Sequence, residues 1–443
     1  MCIRDRGEGE LADCKDTSNQ LKARRPACGC KGRQRAQECS EVPSSCRRLA
    51  LRSVRRKFPL HREMATRVAL VTTLLLPKGS SSVLASFVKW HTSLGIDTLY
   101  LYFDDSTSDE PEGWREADHP QVKRVRRSPQ LLEEQQDKCA CWARFGPYAT
   151  EVQARQALNA EHASLRARRD GCTWLLHLDV DELFFVESKE ALEAHFRELD
   201  AKNIGHCTYA NHEGVAERSD VRDYFREVTL FRWNHHSLPL TSGVQAGMRW
   251  WRSRSKHGQY LLCYDCGKSA VKLVDDIEPV SVHAWRTPLK KLTALCDARL
   301  DLSERSSNPE KMPVILHYVN CGTFWLRTKY EILGAFADSW FGGSLPIAPS
   351  FHLDARDVVG TRNAEALEAF YARHLAPPDA DELARQLAAG VLRRLDAPSK
   401  LLGGATIAAP VAVAPSIMPP PAPEAGFSSE KAWILSAAAS KFL

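Results

Sequence analysis

In the stretch Trp174 to Phe185, WLLHLDVDELFF, an apolar run ends abruptly in three carboxylates, Asp179, Asp181 and Glu182. Asp179 and Asp181 are two apart, so in an extended chain their side chains share one side and can meet a single hard divalent cation. Mn²⁺ or Mg²⁺ bridged to a diphosphate is the natural occupant of such a pair. An isolated Asp-x-Asp is weak, because acidic residues also cap strands and open helices. The unbroken apolar approach adds weight, since it would leave three carboxylates unpaired at a sheet edge unless a cation or strong donors met them.

The elements that must deliver these groups are legible as alternating strands and helices. Trp174 to Leu178 reads as a buried strand of a mostly parallel sheet, and such sheets bind ligands just beyond the carboxyl ends of their strands. Val68 to Leu76, VALVTTLLL, has the length of a signal-peptide core if translation begins at Met64, but its β-branched content favours a strand. A helix follows with Leu84, Phe87, Val88 and His91 on one face, closed by Gly95. Thr98 to Phe103 is the next strand and ends in DDSTSD, Asp104 to Asp109. Strand, helix and strand form a right-handed βαβ unit, so the Asp104 and Asp105 loop is expected on the edge that carries Asp179 and Asp181, both facing one crevice. Taken alone, the Asp- and Ser-rich loop reads equally as a solvated turn.

Glu151 to Arg168 reads as a helix with Ala154, Ala157, Leu158 and Leu165 on one side, and Ser188 as the N-cap of a helix burying Ala191, Leu192, Phe196 and Leu199. Gly205 to Val282 is strand-like. It brings Lys268, and just after it His283, to positions from which they could return to the acidic edge.

Charge separates the ends from the middle. Residues 1–63 carry 16 Lys and Arg against 8 Asp and Glu, although the whole chain of 443 residues is only +5, so the basic balance belongs to the leader. The leader lacks periodicity, holds six of the 14 cysteines and reads as disordered, with Met64 as an alternative start. Its cysteines lack zinc-site spacing and no aromatic residues interleave its basic ones, which argues against nucleic-acid binding. Two close pairs, Cys139 with Cys141 and Cys263 with Cys266, could bind zinc or form disulfides, and buried thiols are the commoner case. No apolar run approaches a membrane span, so membrane attachment is not evident, and no Asn-x-Ser/Thr sequon occurs. The expected organisation is a leader over 1–63, a catalytic domain over 64–340, a helical extension over 341–395 and a Pro- and Ala-rich tail over 396–443.

Trp90-His91 with Leu94-Gly95-Ile96-Asp97, then the DDSTSD loop, the Trp174 strand ending in Asp-x-Asp-Glu, Lys268, His283, His317-Tyr318 and Lys329 stand in an order that resembles glycosyltransferase family 92 and its family-2-like relatives. The resemblance covers about residues 66–335, and the ordered set is more specific than any one motif. It implies a GT-A-like, Rossmann-type α/β fold, a mostly parallel sheet flanked by helices, to which composition adds disordered extensions at both ends. It also implies a hexosyltransferase that moves sugar from a nucleotide-sugar, UDP-linked in the first instance, to a hydroxyl of a glycan or other acceptor, in a Golgi or secretory setting. On this resemblance Asp104, Asp105, Asp109, Lys268 and His317 contact the nucleotide-sugar, and Asp179, Asp181 and His283 hold Mn²⁺ or Mg²⁺. Relatives commonly begin the first loop with Asn-Glu and an aromatic residue, whereas Lys78-Gly79-Ser80-Ser81-Ser82 stands here.

Sugar transfer needs a stabilised diphosphate leaving group, exclusion of water and, for inversion, a carboxylate to take the acceptor proton. Glu182 is the carboxylate expected in that role, with Glu213, Asp265, Asp275 and Asp276 as alternatives. Phe231 to His236 and Arg249 to Arg252 offer aromatic and basic groups for an acceptor surface. A non-catalytic nucleotide- or sugar-binding protein and a metal-dependent phosphohydrolase are the alternative functions.

Overall fold

Alternation along the first strands explains the central layer. Val68, Leu70 and Leu74 project into one apolar cluster while Ala69 and Val71 project into another, and Leu99, Leu101 and Phe103 oppose Tyr100 and Tyr102 in the same way. A strand greasy on both faces needs cover on both, which is the situation of a parallel sheet between helices. The computed structural model describes residues 66–75, 77, 80–104, 116–293 and 312–404. The leader, Lys78, Gly79, Asp105, Asp109 and the tail beyond 404 lie outside the described residues.

The strands used below are β1 (Val68–Leu74), β2 (Thr98–Phe103), β3 (Val122–Arg126), β4 (Trp174–His177), β5 (Glu182–Phe185), β6 (Ile204–Tyr209), β7 (Asn211–Val215), β8 (Leu230–Arg232), β9 (Lys268–Lys272), β10 (Lys290–Thr293), β11 (Val314–His317) and β12 (Leu392–Arg394). The helices are α1 (Ser81–Ser93), α2 (Val152–Arg169), α3 (Lys189–Ala201), α4 (Thr323–Leu333) and α5 (Phe351–Gly360). The seven-stranded sheet runs β10-β6-β9-β4-β1-β2-β3. Its pairings are parallel except those of β9 with β4 and with β6. The expected mostly parallel α/β sheet flanked by helices is therefore present. The chain steps outward from β1 through β2 and β3, then returns to the opposite side of β1 as β4. The carboxyl ends of β1 and β4 thus mark the switch point, where the connections diverge and leave a crevice.

Val68 to Leu74 is a fully buried strand, as its β-branched content led one to expect. In α1, Leu84, Phe87, Val88 and His91 are buried, and Gly95 closes the helix at φ +89°. Ser188 caps α3 by accepting the Ala191 N–H at 3.2 Å. The face of α2 that meets the sheet carries Ala160, Ala163 and Ala167, small enough for close approach. Among the described residues, no helix is long and apolar enough to cross a membrane.

Three features were not legible. WLLHLDVDELFF is two strands: β4 ends at His177, and Glu182–Phe185 begins a second, five-stranded sheet in the order β12-β8-β7-β11-β5. Residues 341–404 are built into this body, since β12 pairs with β8 and Phe351 and Ala355 of α5 pack on Leu326 and Tyr330 of α4. The aromatic surface proposed at 231–252 is largely interior: Phe231, Trp233 and Trp251 are buried, and Trp251 Nε1 donates to Gln386 at 2.8 Å. Cys139 and Cys141 are buried free thiols on a turn whose Ala140 and Cys141 N–H groups both donate to Glu161 at 2.8 Å, and Cys263 and Cys266 are free as well.

His91 joins α1 to the second sheet. Its Nδ1 lies 2.9 Å from the Phe87 carbonyl, and its Nε2 accepts the Phe184 N–H at 3.2 Å. A carbonyl only accepts and an amide N–H only donates, so the proton sits on Nδ1 and the ring is neutral. Burial lowers His91 from 6.5 to about 3, against the smaller raising effect of the Phe87 bond. The unfolded chain therefore binds a proton first, so the stability His91 contributes is complete above pH 6.5 and is lost as pH falls towards 3. The loss should approach ~1.4 kcal/mol per pH unit for this residue alone. Urea unfolding near neutrality and near pH ~5 should show it, and His91→Gln should flatten part of the slope. An identical slope in the variant would mean that His91 is not held neutral.

Candidate active site

Leu178 to Asp181 is the turn by which the chain leaves the first sheet for the second. Leu178 N–H donates to Val71 at 3.1 Å, Glu182 N–H to Asp179 at 3.1 Å, and Tyr318 N–H to the Asp181 carbonyl at 2.8 Å. Both sheets therefore grip the backbone of this turn, and the aspartate side chains are aimed by it. Asp179 and Asp181 both line a cavity of about 450 Å³ together with Lys268, His283, His317 and Lys329.

Asp179 forms an ion pair with Lys268, Nζ to Oδ2 2.8 Å, and accepts from Gln156 Nε2 on α2 at 2.7 Å through Oδ1. Asp181 pairs with Lys329 of α4 at 2.9 Å, and His317 Nε2 lies 3.8 Å from the same oxygen. Burial opposes charge on Asp179, but Lys268 outweighs it and holds the carboxyl below its usual range. Burial likewise opposes charge on Asp181, where Lys329 and His317 hold the carboxyl far below that range. In Lys268 and Lys329, burial opposes the charge and the carboxylates overcome it, raising both ammonium groups.

Gly267 sets Lys268 in place. Its φ is +73°, and a Cβ there would fall 2.0 Å from the Tyr209 carbonyl oxygen. The Gly267 carbonyl accepts from His283 Nδ1 at 2.8 Å, which leaves Nε2 as the nitrogen with a free lone pair. Burial first, then Lys268, lowers His283 to about 3, so the imidazole is neutral. Tyr264 lies between the two histidines, with ring centroids 4.7 Å from His283 and 5.0 Å from His317. Tyr318 is buried against Tyr224, Phe225 and Phe231, a packing role.

Glu182 stands elsewhere than an acceptor base would. It is fully buried and absent from the cavity wall, where its Oε2 accepts the Asp179 N–H at 2.7 Å and lies 4.0 Å from Lys268. Burial raises it to about 7. It holds the turn from inside the protein. Glu213 is also removed from the candidate bases, being buried against Arg232 and accepting the Leu262 and Cys263 N–H groups. Asp275 is an exposed partner of Arg168.

Asp104 lines a second cavity, of about 620 Å³, and Leu75 lines both. The expected single crevice is therefore two cavities meeting at the end of β1. Both Asp104 oxygens are held by the Arg155 guanidinium of α2, at 2.6 and 2.5 Å, so Asp104 enters the site as the partner of an arginine rather than as a free acceptor. Gln156 and Arg155 were missed in the sequence; the one signal was polar residues at the start of an otherwise Ala-rich helix. Trp340, and Ile347 and His352 from the region read as an extension, also line the 450 Å³ cavity.

Two carboxylates and an imidazole with a free Nε2 have the donor chemistry of a Mn²⁺ or Mg²⁺ site. The three are not drawn to one point in this arrangement: among the described residues, three such donor atoms come within 4.8 Å of one another only at His235, His236 and Asp265. Lysine ammonium groups hold the two aspartates instead.

No family model matches the chain. It is similar to two Arabidopsis thaliana proteins. Glycosyltransferase-like At2g41451 is 30% identical over 257 residues, 55% of this chain and 56% of that protein. Glycosyltransferase-like At3g57200 is 25% identical over 365 residues, 78% of this chain and 65% of that protein. The chain thus spans less than two thirds of the length of either relative. Among solved structures, the Mn/GDP form of core-mannan synthase A from Aspergillus fumigatus aligns at 10% identity over 34% of this chain and 43% of that one, TM-score 0.22. The mannosyltransferase Ktr4p from S. cerevisiae in complex with GDP aligns at 10% identity over 35% and 43%, TM-score 0.19. Structural agreement at this level carries no argument about function.

Gly267→Ala should destabilise the protein by roughly 2–4 kcal/mol, because the left-handed backbone is strained and the Tyr209 carbonyl must move. A thermal unfolding midpoint equal to that of the parent would contradict this account of how Lys268 is held.

Proposed function

We propose that this chain is a glycosyltransferase of GT-A type, resembling family 92, which moves a hexose from a nucleoside diphosphate sugar to a hydroxyl of a glycan or other acceptor. The observation that carries the reading is the convergence of Asp179, Asp181, Lys268, His283, His317 and Lys329 on one cavity at the switch point of a parallel sheet. The Arabidopsis relatives named glycosyltransferase-like agree with it. Val152, Gln153 and Gln156 at the start of α2 also line the cavity, so the positive end of an 18-residue helix faces it, a favourable setting for a diphosphate.

Asp179, Asp181 and His283 would hold the divalent cation, which when bound supplies Lewis-acid stabilisation of the diphosphate. The protein's own part is electrostatic. Lys268 and Lys329 neutralise the aspartates in the free chain and are the groups placed to pair with phosphate oxygens once donor binds. The 620 Å³ cavity beside Asp104 and Arg155 is where the nucleoside would sit, with sugar and acceptor in the 450 Å³ cavity beyond Leu75. As the bond from the anomeric carbon to phosphate breaks and that to the acceptor oxygen forms, negative charge grows on the diphosphate. Cations already held beside it need little reorganisation to meet that charge.

One observation favours a second reading, a non-catalytic nucleotide or sugar binder: both aspartates already have ammonium partners. The two readings part in a nucleoside diphosphate release assay with UDP- and GDP-sugars and Mn²⁺. Turnover of at least one donor is expected, with loss on chelation and a fall in kcat/KM of about 100-fold or more in Asp181→Asn at unchanged circular dichroism. Donor binding without turnover would identify the binder. Undiminished turnover in Asp181→Asn, or phosphate release from simple phosphoesters, would remove the transferase reading.

A further inference from the structure

A second cluster lies outside the cavity and has no part in the reaction above. His235 and His236 follow β8, and Asp265 lies in the loop that leads into Lys268. His236 Nε2 is 3.5 Å and His235 Nε2 3.7 Å from the same Asp265 oxygen, and the two imidazole rings are 4.1 Å apart. These separations are too long for good hydrogen bonds, whose N–H···O distances end near ~3.2 Å. They are close to the roughly 3.3–3.4 Å between two ligands that each sit about 2.0–2.1 Å from a tetrahedral zinc ion. We propose that His235, His236 and Asp265 form a Zn²⁺ site that clips the 263–267 loop to the turn after β8.

The scaffold for this site is in place without metal. Buried Asn234 accepts the His236 N–H at 3.0 Å and donates to the Asp265 carbonyl at 3.0 Å, so one side chain sets both ligand-bearing segments. The same amide approaches Asn211 Oδ1, which accepts the Gly267 N–H at 3.2 Å. The ligand side chains are 25%, 30% and 45% exposed, which leaves an ion a path in. Two imidazoles and one carboxylate suit zinc better than magnesium or calcium, and three protein ligands leave the fourth position for water. The consequence for the cavity is mechanical. The clipped loop carries Tyr264, which lies between His283 and His317, and ends at Gly267 beside Lys268.

The full chain should be titrated with Co²⁺ as a spectroscopic substitute for Zn²⁺. One equivalent with four-coordinate visible bands and no sulfur-to-cobalt charge transfer is expected. His236→Gln and Asp265→Asn, both at partly exposed positions, should each weaken it by more than about 100-fold, beyond the loss usual for an outer-shell partner. Asp181→Asn should leave this spectrum intact. Amide exchange across 263–267 should slow with Zn²⁺ in the parent and not in Asp265→Asn. The site is overturned if both variants bind Co²⁺ as the parent does, if the only spectrum is that of cysteine ligation, or if Asp181→Asn removes it. The clip is overturned if exchange across the loop is unchanged by Zn²⁺. None of these outcomes depends on whether the chain transfers sugar.

Discussion

Three carboxylates within the four residues from Asp179 to Glu182, at a backbone turn shared by two sheets, create a charge that the fold must compensate. Removing carboxylates from water costs several kcal/mol each unless cations or donors meet them. The compensation is uneven. Asp179 and Asp181 have ammonium partners at 2.8 and 2.9 Å and stay ionised, whereas the ammonium of Lys268 lies 4.0 Å from Glu182, and burial carries Glu182 to about 7. The two outward carboxylates are thus kept anionic, and the inner one serves as a hydrogen-bond acceptor for the Asp179 backbone.

The compensating lysines come from elements far apart in the chain, and much of the remaining architecture serves to bring them in. Lys268 opens β9, the strand inserted antiparallel between β4 and β6, and it can stand there only because Gly267 takes a left-handed backbone against the Tyr209 carbonyl. Lys329 arrives on α4, whose far side is covered by α5. The pairing of β11 with β5 joins the second sheet to the same turn, since it sets the Tyr318 N–H against the Asp181 carbonyl. The second sheet is therefore part of the site rather than an appendage to it.

Local patterns explain what could be read from residues alone. The strand at 68–74, α1 with its apolar face, the Ser188 cap and the buried Trp174 strand depend on periodicity and capping, which are short-range. The ordered residues Asp179, Asp181, Lys268, His283, His317 and Lys329 were recognisable as a set, and the fold brings all of them to one cavity wall. The break at Leu178 was hidden because residues on both sides of it are apolar, and hydropathy does not record which sheet a strand joins. Arg155 was hidden for a different reason: a helical arginine reads as solvated until its partner, here Asp104, is known. Glu182 looked like a base for want of any sign that its side chain faces inward. Trp251 and Phe231 looked like surface because their arginine neighbours are polar, yet buried Arg232 stacks over the Trp251 ring at 4.3 Å and pairs with Glu213 inside the protein.

The region from Trp340 onward has a consequence for selectivity. Trp340, Ile347, Ser350 and His352 line the 450 Å³ cavity, and burial, with Lys329 nearby, lowers His352 to about 4, so this part of the lining is uncharged and partly aromatic. The charged lining is Asp179, Asp181, Lys268 and Lys329. A ligand bridging the two would bring a strongly anionic end to the lysines and a less polar end to Trp340 and His352, and sugars, with an apolar ring face and hydroxyl edges, suit such a divided surface. The division also accounts for the C-terminal strand being tied into the second sheet, since β12 anchors the far end of this region by pairing with β8. The Phe341 and Gly342 N–H groups donate to Glu151, just before α2, at 2.6 and 2.9 Å, so the region is fixed at its near end as well, as the water exclusion of the proposed transfer requires.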